Sequence, residues 1–293
     1  MPSLDDLKKR IKSVKSTQKI TKAMKMVAAA KLRKAQESAE KGRPYSEKML
    51  NIILNLSKTI EKNDDSPKLI SGNGKDQIYL CVVMTADRGL CGGFNSNICK
   101  LAKRNFKKLL NEGKEIKIIT IGTKGYDQIK KEYGKYIIKQ ISLKDKKKIT
   151  YKDATEIGKD IINLFENKEF DKCILFYNNF KNVITQIPQS QQIIPIEIKL
   201  VSKKDEKQDI FYDFEPDESE ILKELLPKNI FTQIFKAFLE NAASEQGSRM
   251  TAMDNATRNA GDLVDKLTIN YNRSRQASIT KELIEIISGA ESL

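Results

Sequence analysis

Two stretches at the ends of this 293-residue chain constrain its fold more than anything between them. From Ser3 to Lys41 there is neither Gly nor Pro, and strong helix formers dominate, as in Ala28, Ala29, Ala30, Lys31, Leu32, Arg33, Lys34 and Ala35. Ser3 suits an N-cap ahead of Leu4, with Asp5 and Asp6 in the first turn, where the helix dipole favours acids. Leu4, Leu7, Ile11 and Val14 repeat at three and four, and the stripe passes through Gln18 and Thr21 to Ile20, Met24, Val27 and Leu32. Thirty-nine helical residues would span about 58 Å. The pattern weakens at Gly42, Arg43 and Pro44 and resumes through Tyr45, Met49, Ile52, Ile53 and Leu56. At the other end, Pro227 suits a helix start, and helical pattern runs from there to Ser288, stopping at Gly289. Ile230, Ile234 and Phe238, then Met250, Met253, Thr257, Ala260, Val264, Leu267 and Tyr271, keep the same spacing, and Ile279, Leu283, Ile286 and Ile287 close the run. Its 61 residues would reach about 90 Å. Neither helix satisfies its apolar stripe alone. The simplest solution is an antiparallel coiled-coil pair, because the folded middle reverses the chain.

That middle, roughly residues 77–215, reads as α/β. Ile78–Thr85 (IYLCVVMT) is a continuous apolar run suited to a strand buried on both faces. The turn DRGLCGGFN follows, then a helical stretch from Asn95 to Leu110, a second strand at Ile116–Ile121, helix near residues 153–167 and a third strand at Cys173–Tyr177. Asn178 and Asn179 suit a turn into Val183–Ile187, an antiparallel edge hairpin. Strands alternating with helices imply a small doubly wound, Rossmann-like sheet. The stretch Asn63–Lys75 reads as a linker. The expected organisation is therefore an N-terminal helix over 1–62, an α/β domain over 77–215 and a C-terminal helix over 218–293.

Composition matters here mainly through one zero. The chain has no His, which excludes a Ser-His-Asp or Cys-His nucleophile pair and any His-containing zinc or haem site. The four cysteines, at 81, 91, 99 and 173, form no C-x-x-C pair and suit a reducing compartment. The glycines of Asp87-Arg88-Gly89-Leu90-Cys91-Gly92-Gly93 match neither a dinucleotide nor a Walker fingerprint, which favours a tight strand-to-helix turn over a phosphate site. No cofactor or metal is expected. The net charge of +14 is uneven: Lys8 to Lys34 hold eleven basic residues and no acid, whereas 205–224 carry nine acids against two lysines. A basic stripe suits nucleic acid, a membrane surface or an acidic protein. A basic nucleic-acid-binding coiled-coil protein is thus the alternative reading, although no aromatic lies between Met1 and Pro44 to stack on bases. No run approaches the length of a membrane span, and neither a signal core nor a transit peptide is read at the N-terminus.

Four segments go beyond pattern. IKSVKSTQKITKAMKMVAAAKLRKAQ (Ile11–Gln36) with RPY (Arg43–Tyr45), the DRGLCGGFN turn, SEQGSRMTAMDNAT (Ser244–Thr257) and NRSRQASITKELIEIISGAESL (Asn272–Leu293) together resemble the γ subunits of F-type ATP synthases, of the bacterial type. The resemblance implies a non-catalytic rotor. Its paired terminal helices would form a shaft inside a hexamer of α and β subunits, and its α/β domain would sit at the base, towards the c-ring and the ε subunit. It implies contacts from Met24, Lys25, Arg88, Arg275, Gln276 and Thr280 to β subunits, and from Tyr212 and Glu215 to the ring and ε, with Arg249 opposite the first helix. It also implies a peripheral place at the cytoplasmic face of a bacterial inner membrane and no nucleic-acid partner. The inserted redox-switch segment of the chloroplast branch, with its close Cys pair, has no counterpart here.

Overall fold

The computed structural model describes residues 3–59, 67–146, 149–196 and 218–291. In chain order the elements are α1 (Leu4–Thr59), α2 (Lys68–Ser71), β1 (Ile78–Met84), α3 (Phe94–Asn111), β2 (Glu115–Ile121), α4 (Thr123–Tyr133), β3 (Ile137–Ile141), α5 (Tyr151–Glu166), β4 (Lys172–Phe180), β5 (Gln186–Ile194) and α6 (Glu218–Glu291). The chain divides into two compact units, one of Met1–Ala30 with Arg249–Leu293, the other of Lys31–Ser248, so each terminal helix contributes to both.

The Lys31–Ser248 unit is built on a sheet of order β3-β2-β1-β4-β5, parallel except for the antiparallel edge pair β4·β5. Alternation along β1 divides its apolar run between two faces, as a doubly covered parallel strand requires. Leu80, Val82 and Met84 pack with Ile157, Ile161 and Phe165 of α5 and with Ile230, Ile234 and Phe238 of α6. Tyr79, Cys81 and Val83 pack with Ile98, Ala102 and Phe106 of α3 and Ile129 of α4. A smaller cluster joins Met49, Ile53 and Leu56 of α1 to Leu222 and Leu226 of α6. Helix α5 packs tightly on α6 at Gly158, where a Cβ would stand 2.3 Å from the Phe231 ring.

Several sequence expectations are corrected. Helix α1 runs through Gly42-Arg43-Pro44, and α6 begins nine residues before Pro227 and passes Gly289. In both cases the helix-breaking residue lies beside buried contacts: Ser46 and Met49 follow Pro44, and Leu222 and Leu226 precede Pro227. Packing outweighs propensity there. Asn178 and Asn179 lie within β4, and the second hairpin strand is Gln186–Ile194 rather than Val183–Ile187. Helix α4 and strand β3 were not foreseen. In the other unit, Leu7, Thr21 and Ala28 of α1 and Met253, Ala260, Val264 and Leu267 of α6 are buried, as the three-four spacing requires. Ile20 and Val27 are instead exposed, because the stripe keeps a 3.5-residue period and they fall one residue off it.

Overpacking at Gly158 costs more than the few tenths of a kcal/mol that Val gains over Gly in a helix. Gly158→Val is therefore expected to lower the urea-unfolding free energy by about 2 kcal/mol. Two carboxylates make the fold acid-sensitive. Asp76 accepts the Tyr79 hydroxyl at 2.6 Å and faces Lys172 and Lys114 at 2.9 and 3.1 Å, which hold it at about 2. Asp153, bonded to Lys146 and to the Thr150 N–H and hydroxyl at the start of α5, is likewise held at about 2. Both lie below the ordinary value of 3.8. Their contribution is thus complete above pH about 4 and lost as pH falls towards 2. The urea midpoint should drop over that window, and less steeply in an Asp76→Asn, Asp153→Asn chain.

Candidate interaction surfaces

In an open α/β sheet the ligand crevice lies at the carboxyl ends of the strands where the winding reverses. Here the chain leaves β1 for β2 and β3 on one side and returns to β4 on the other, so that point is between β1 and β4. It is filled by α6. Asn241 Nδ2 donates to Met84 O at the end of β1 (3.0 Å), and Asn178 N of β4 donates to Asn241 Oδ1 (2.9 Å). The Ser244 hydroxyl donates to Asn178 O at 3.4 Å, and the Ser248 hydroxyl to Cys91 O at 2.7 Å. Phe180 N donates to Glu240 Oε2 at 3.0 Å. Glu240, Ser244 and Ser248 recur every four residues and so lie along one stripe of α6. The crevice that holds nucleotide in dinucleotide folds holds a polar helix face of the same chain.

The turn after β1 is equally occupied by protein. Asn95 Oδ1 accepts Ala86 N at 2.9 Å. The Asp87 carboxylate accepts Thr123 N at 3.0 Å and the Ser142 hydroxyl and Leu143 N at 3.1 Å each, tying together the loops after β1, β2 and β3. Gly122, at φ +94°, lets the chain pass Thr85: a Cβ there would stand 2.3 Å from the Thr85 carbonyl oxygen. Asp87 thus places a carboxylate at this turn and engages amides of the two neighbouring loops, an arrangement that disfavours an anion there. Arg88 and Leu90 face outward from it, Leu90 at φ 61° and 64% exposed. The four thiols are buried. Burial pushes Cys81 and Cys173 far up and Cys99 to about 11, so these three are poor nucleophiles.

In the Met1–Ala30 and Arg249–Leu293 unit, polar rungs set an antiparallel register. Gly261 lies against Gln18: a Cβ would stand 3.0 Å from Gln18 Nε2 and oblige that side chain to shift. The Thr257 hydroxyl donates to Thr21 Oγ1 at 2.8 Å, and Lys25 Nζ to Asp254 Oδ1 at 2.5 Å. Asp254 also accepts Arg258, and the Lys25 and Arg258 hydrogen bonds hold its carboxyl below the usual range. Lys25, expected at a partner surface, is thus engaged within the pair, and Met24 beside it is half-buried. Arg249 is also half-buried. Continuing the register places Leu4 opposite Arg275, so α6 extends past the start of α1. Every residue from Ile279 to Ala290 is exposed, including Ile279, Leu283, Ile284, Ile286 and Ile287. Arg275, Gln276 and Thr280 are exposed at the base of this extension, and the Thr280 hydroxyl donates to Gln276 O at 2.9 Å. Tyr212 and Glu215 lie outside the described residues.

A doubly wound sheet plugged by its own helix, together with an antiparallel helix pair whose end is apolar and exposed, defines a protein that engages other proteins. The family model described as ATP synthase matches residues 3–293. The ATP synthase gamma chain of Pelagibacter ubique (strain HTCC1062) is 69% identical over 293 residues, and that of Rhizobium leguminosarum bv. trifolii (strain WSM2304) 56% over 294, each covering 100% of both chains. The chain belongs to the ATP synthase gamma-chain family. Among solved structures, the central stalk and c-ring assembly of the Tetrahymena thermophila mitochondrial ATP synthase contains a chain matched at TM-score 0.60 and 26% identity, covering 81% of this chain and 99% of that one. A chain of the Euglena gracilis mitochondrial ATP synthase (rotational state 3) shares the fold at TM-score 0.67 and 18% identity, with 99% and 94% covered.

Asn241→Leu removes one donor and one acceptor from a buried site and leaves Met84 O and Asn178 N unpaired. It is expected to cost about 2–4 kcal/mol in urea unfolding.

Proposed function

We propose that this chain is the central rotor shaft of a proton-translocating ATP synthase, a non-catalytic subunit that carries torque between a membrane ring and the nucleotide sites of its partners. The observation that carries the reading is the apolar extension of α6: twelve consecutive exposed helical residues whose Ile and Leu side chains repeat at three and four. Such a stripe is satisfied only when other protein surrounds it. The names of the gamma-chain relatives support the same reading. The partners are the α and β subunits around the shaft and the ε subunit and c-ring at its base. Arg275, Gln276, Thr280, Met24 and Arg88 are the proposed contacts to β, joined by Lys25 when it is released from Asp254. Tyr212 and Glu215 are the proposed contacts at the base, and Arg249 serves the helix pairing. Helix segments 1–62 and 218–293 provide the shaft and residues 77–215 the side domain. The place proposed is the cytoplasmic face of a bacterial inner membrane, held peripherally through the complex, and no described helix is long and apolar enough to cross a membrane.

An asymmetric shaft presents different faces to three β subunits and so favours a different nucleotide state in each in turn. The basic residues between Lys8 and Lys34 supply a field that attracts acidic β-subunit loops. The nucleic-acid alternative has no support beyond charge. The test is purification of the tagged chain from native membranes, with α and β subunits expected to accompany it; their absence would sink the reading. Arg275→Ala with Gln276→Ala should lower ATP synthesis by the assembled complex about tenfold, the ratio given by about 1.4 kcal/mol of lost contact.

A further inference from the structure

The weakest point of α1 as a helix is Gly42-Arg43-Pro44. Gly is the least favourable residue after Pro in a helix interior, and Pro44 cannot donate the backbone hydrogen bond that the helix would otherwise make to the Glu40 carbonyl. At that point Arg43 makes three lateral hydrogen bonds. Its Nε donates to Glu240 Oε1 at 2.7 Å, and its Nη2 donates to Glu240 Oε2 at 3.0 Å and to the Phe180 carbonyl at 2.9 Å. Glu240 Oε2 in turn accepts Phe180 N at 3.0 Å. One guanidinium and one carboxylate thus tie α1, α6 and the end of β4 into a closed ring of bonds. The Glu240 side chain is 3% exposed and that of Arg43 36%. The bond to Glu240 raises the Arg43 pKa, so the guanidinium stays charged. Gly42 lets the helices close, since a Cβ there would stand 3.1 Å from Leu239 Cδ1.

Apolar contacts are non-directional and allow packed helices to slip, whereas a two-pronged guanidinium–carboxylate fork holds one geometry. From this we infer that Arg43 and Glu240 are positioning residues for energy coupling: they clamp the Pro44 joint so that twist carried by α1 and α6 is delivered to the sheet through β4. The inference rests on the rotor reading, and the two fail differently. If that reading is wrong, the wild-type chain does not assemble with α and β; if the clamp is wrong, variant complexes assemble and couple normally.

The experiment uses the whole complex reconstituted in sealed vesicles and reads protons pumped per ATP hydrolysed, alongside the thermal midpoint. Arg43→Lys keeps the charge but loses the fork, and Arg43→Met loses both. The expected result is a ratio reduced about twofold in Arg43→Lys and further in Arg43→Met, with hydrolysis maintained. Pro44→Ala, which restores the axial bond, should recover part of the ratio in the Arg43→Lys background. Ile161→Ala, in the same unit but away from the joint, should lower the midpoint and leave the ratio unchanged. A ratio unchanged in Arg43→Lys with only the midpoint lowered would overturn the proposal, as would an equal loss of ratio in Ile161→Ala. Should Arg43→Met fail to assemble, Arg43→Lys decides alone.

Discussion

The rest of the structure depends on α6 having two kinds of partner along one continuous helix. Its residues up to Ser248 form a layer of the α/β unit, with Ile230, Ile234, Ala237 and Phe238 buried against the sheet and α5. Its residues from Arg249 onward bury Met253, Ala260, Val264 and Leu267 in a helix pair. A helix of this length draws its stability from packing rather than from propensity, so both faces have to be satisfied in turn. The polar stripe of Glu240, Ser244 and Ser248 belongs to this requirement. It meets strand-end carbonyls and amides that would otherwise be left buried without partners.

Filling the crevice also decides what the fold can do. A doubly wound sheet gains its usual chemistry from an open switch point with free loop amides at a helix N-terminus. In this chain Asn241 bridges the ends of β1 and β4, and Asp87 consumes amides of the neighbouring loops. The same architecture has become a seat for a helix, and function has moved to the surfaces that helix presents.

Much of this was legible in the sequence because burial imposes period. Three-four spacing located both helices, and unbroken apolar runs located β1, β2 and β4. The edge strand β3 was missed because IIKQI carries two polar residues and the middle three of its five are exposed, and α4 because GYDQIKKEY shows little apolar period. The weakening read at Gly42–Pro44 and the helix start read at Pro227 leave no mark on α1 and α6 for the opposite reason: tertiary contacts outweigh a local rule. The seats of Asn241, Glu240 and Ser244 were missed since polar residues on a helix read as a solvated face. The recurrence of Glu240, Ser244 and Ser248 every four residues within a largely apolar segment was the available signal. Lys25 shows the converse error, because a charge on a basic stripe reads as free until its partner, 229 residues away, is placed beside it.

The helix pair combines two requirements that pull against each other. A subunit that turns among partners has to hold its own two helices in one register without offering partners strong permanent bonds. The seam meets the first with rungs that are polar or small: Gln18 against Gly261, Thr21 with Thr257, Lys25 with Asp254. Each rung has one matching position, so a slip of one turn leaves polar groups unpaired, whereas an all-leucine seam tolerates several registers. The second is met in part by pairing charge within the seam: Asp254 engages both Lys25 and Arg258, so two cations of the pair already have a partner within it. Past Arg275 the logic reverses. The extension keeps its apolar residues exposed, and an exposed apolar stripe is the kind of surface that can be enclosed without being bonded, because the attraction is non-directional and changes little as the helix rotates.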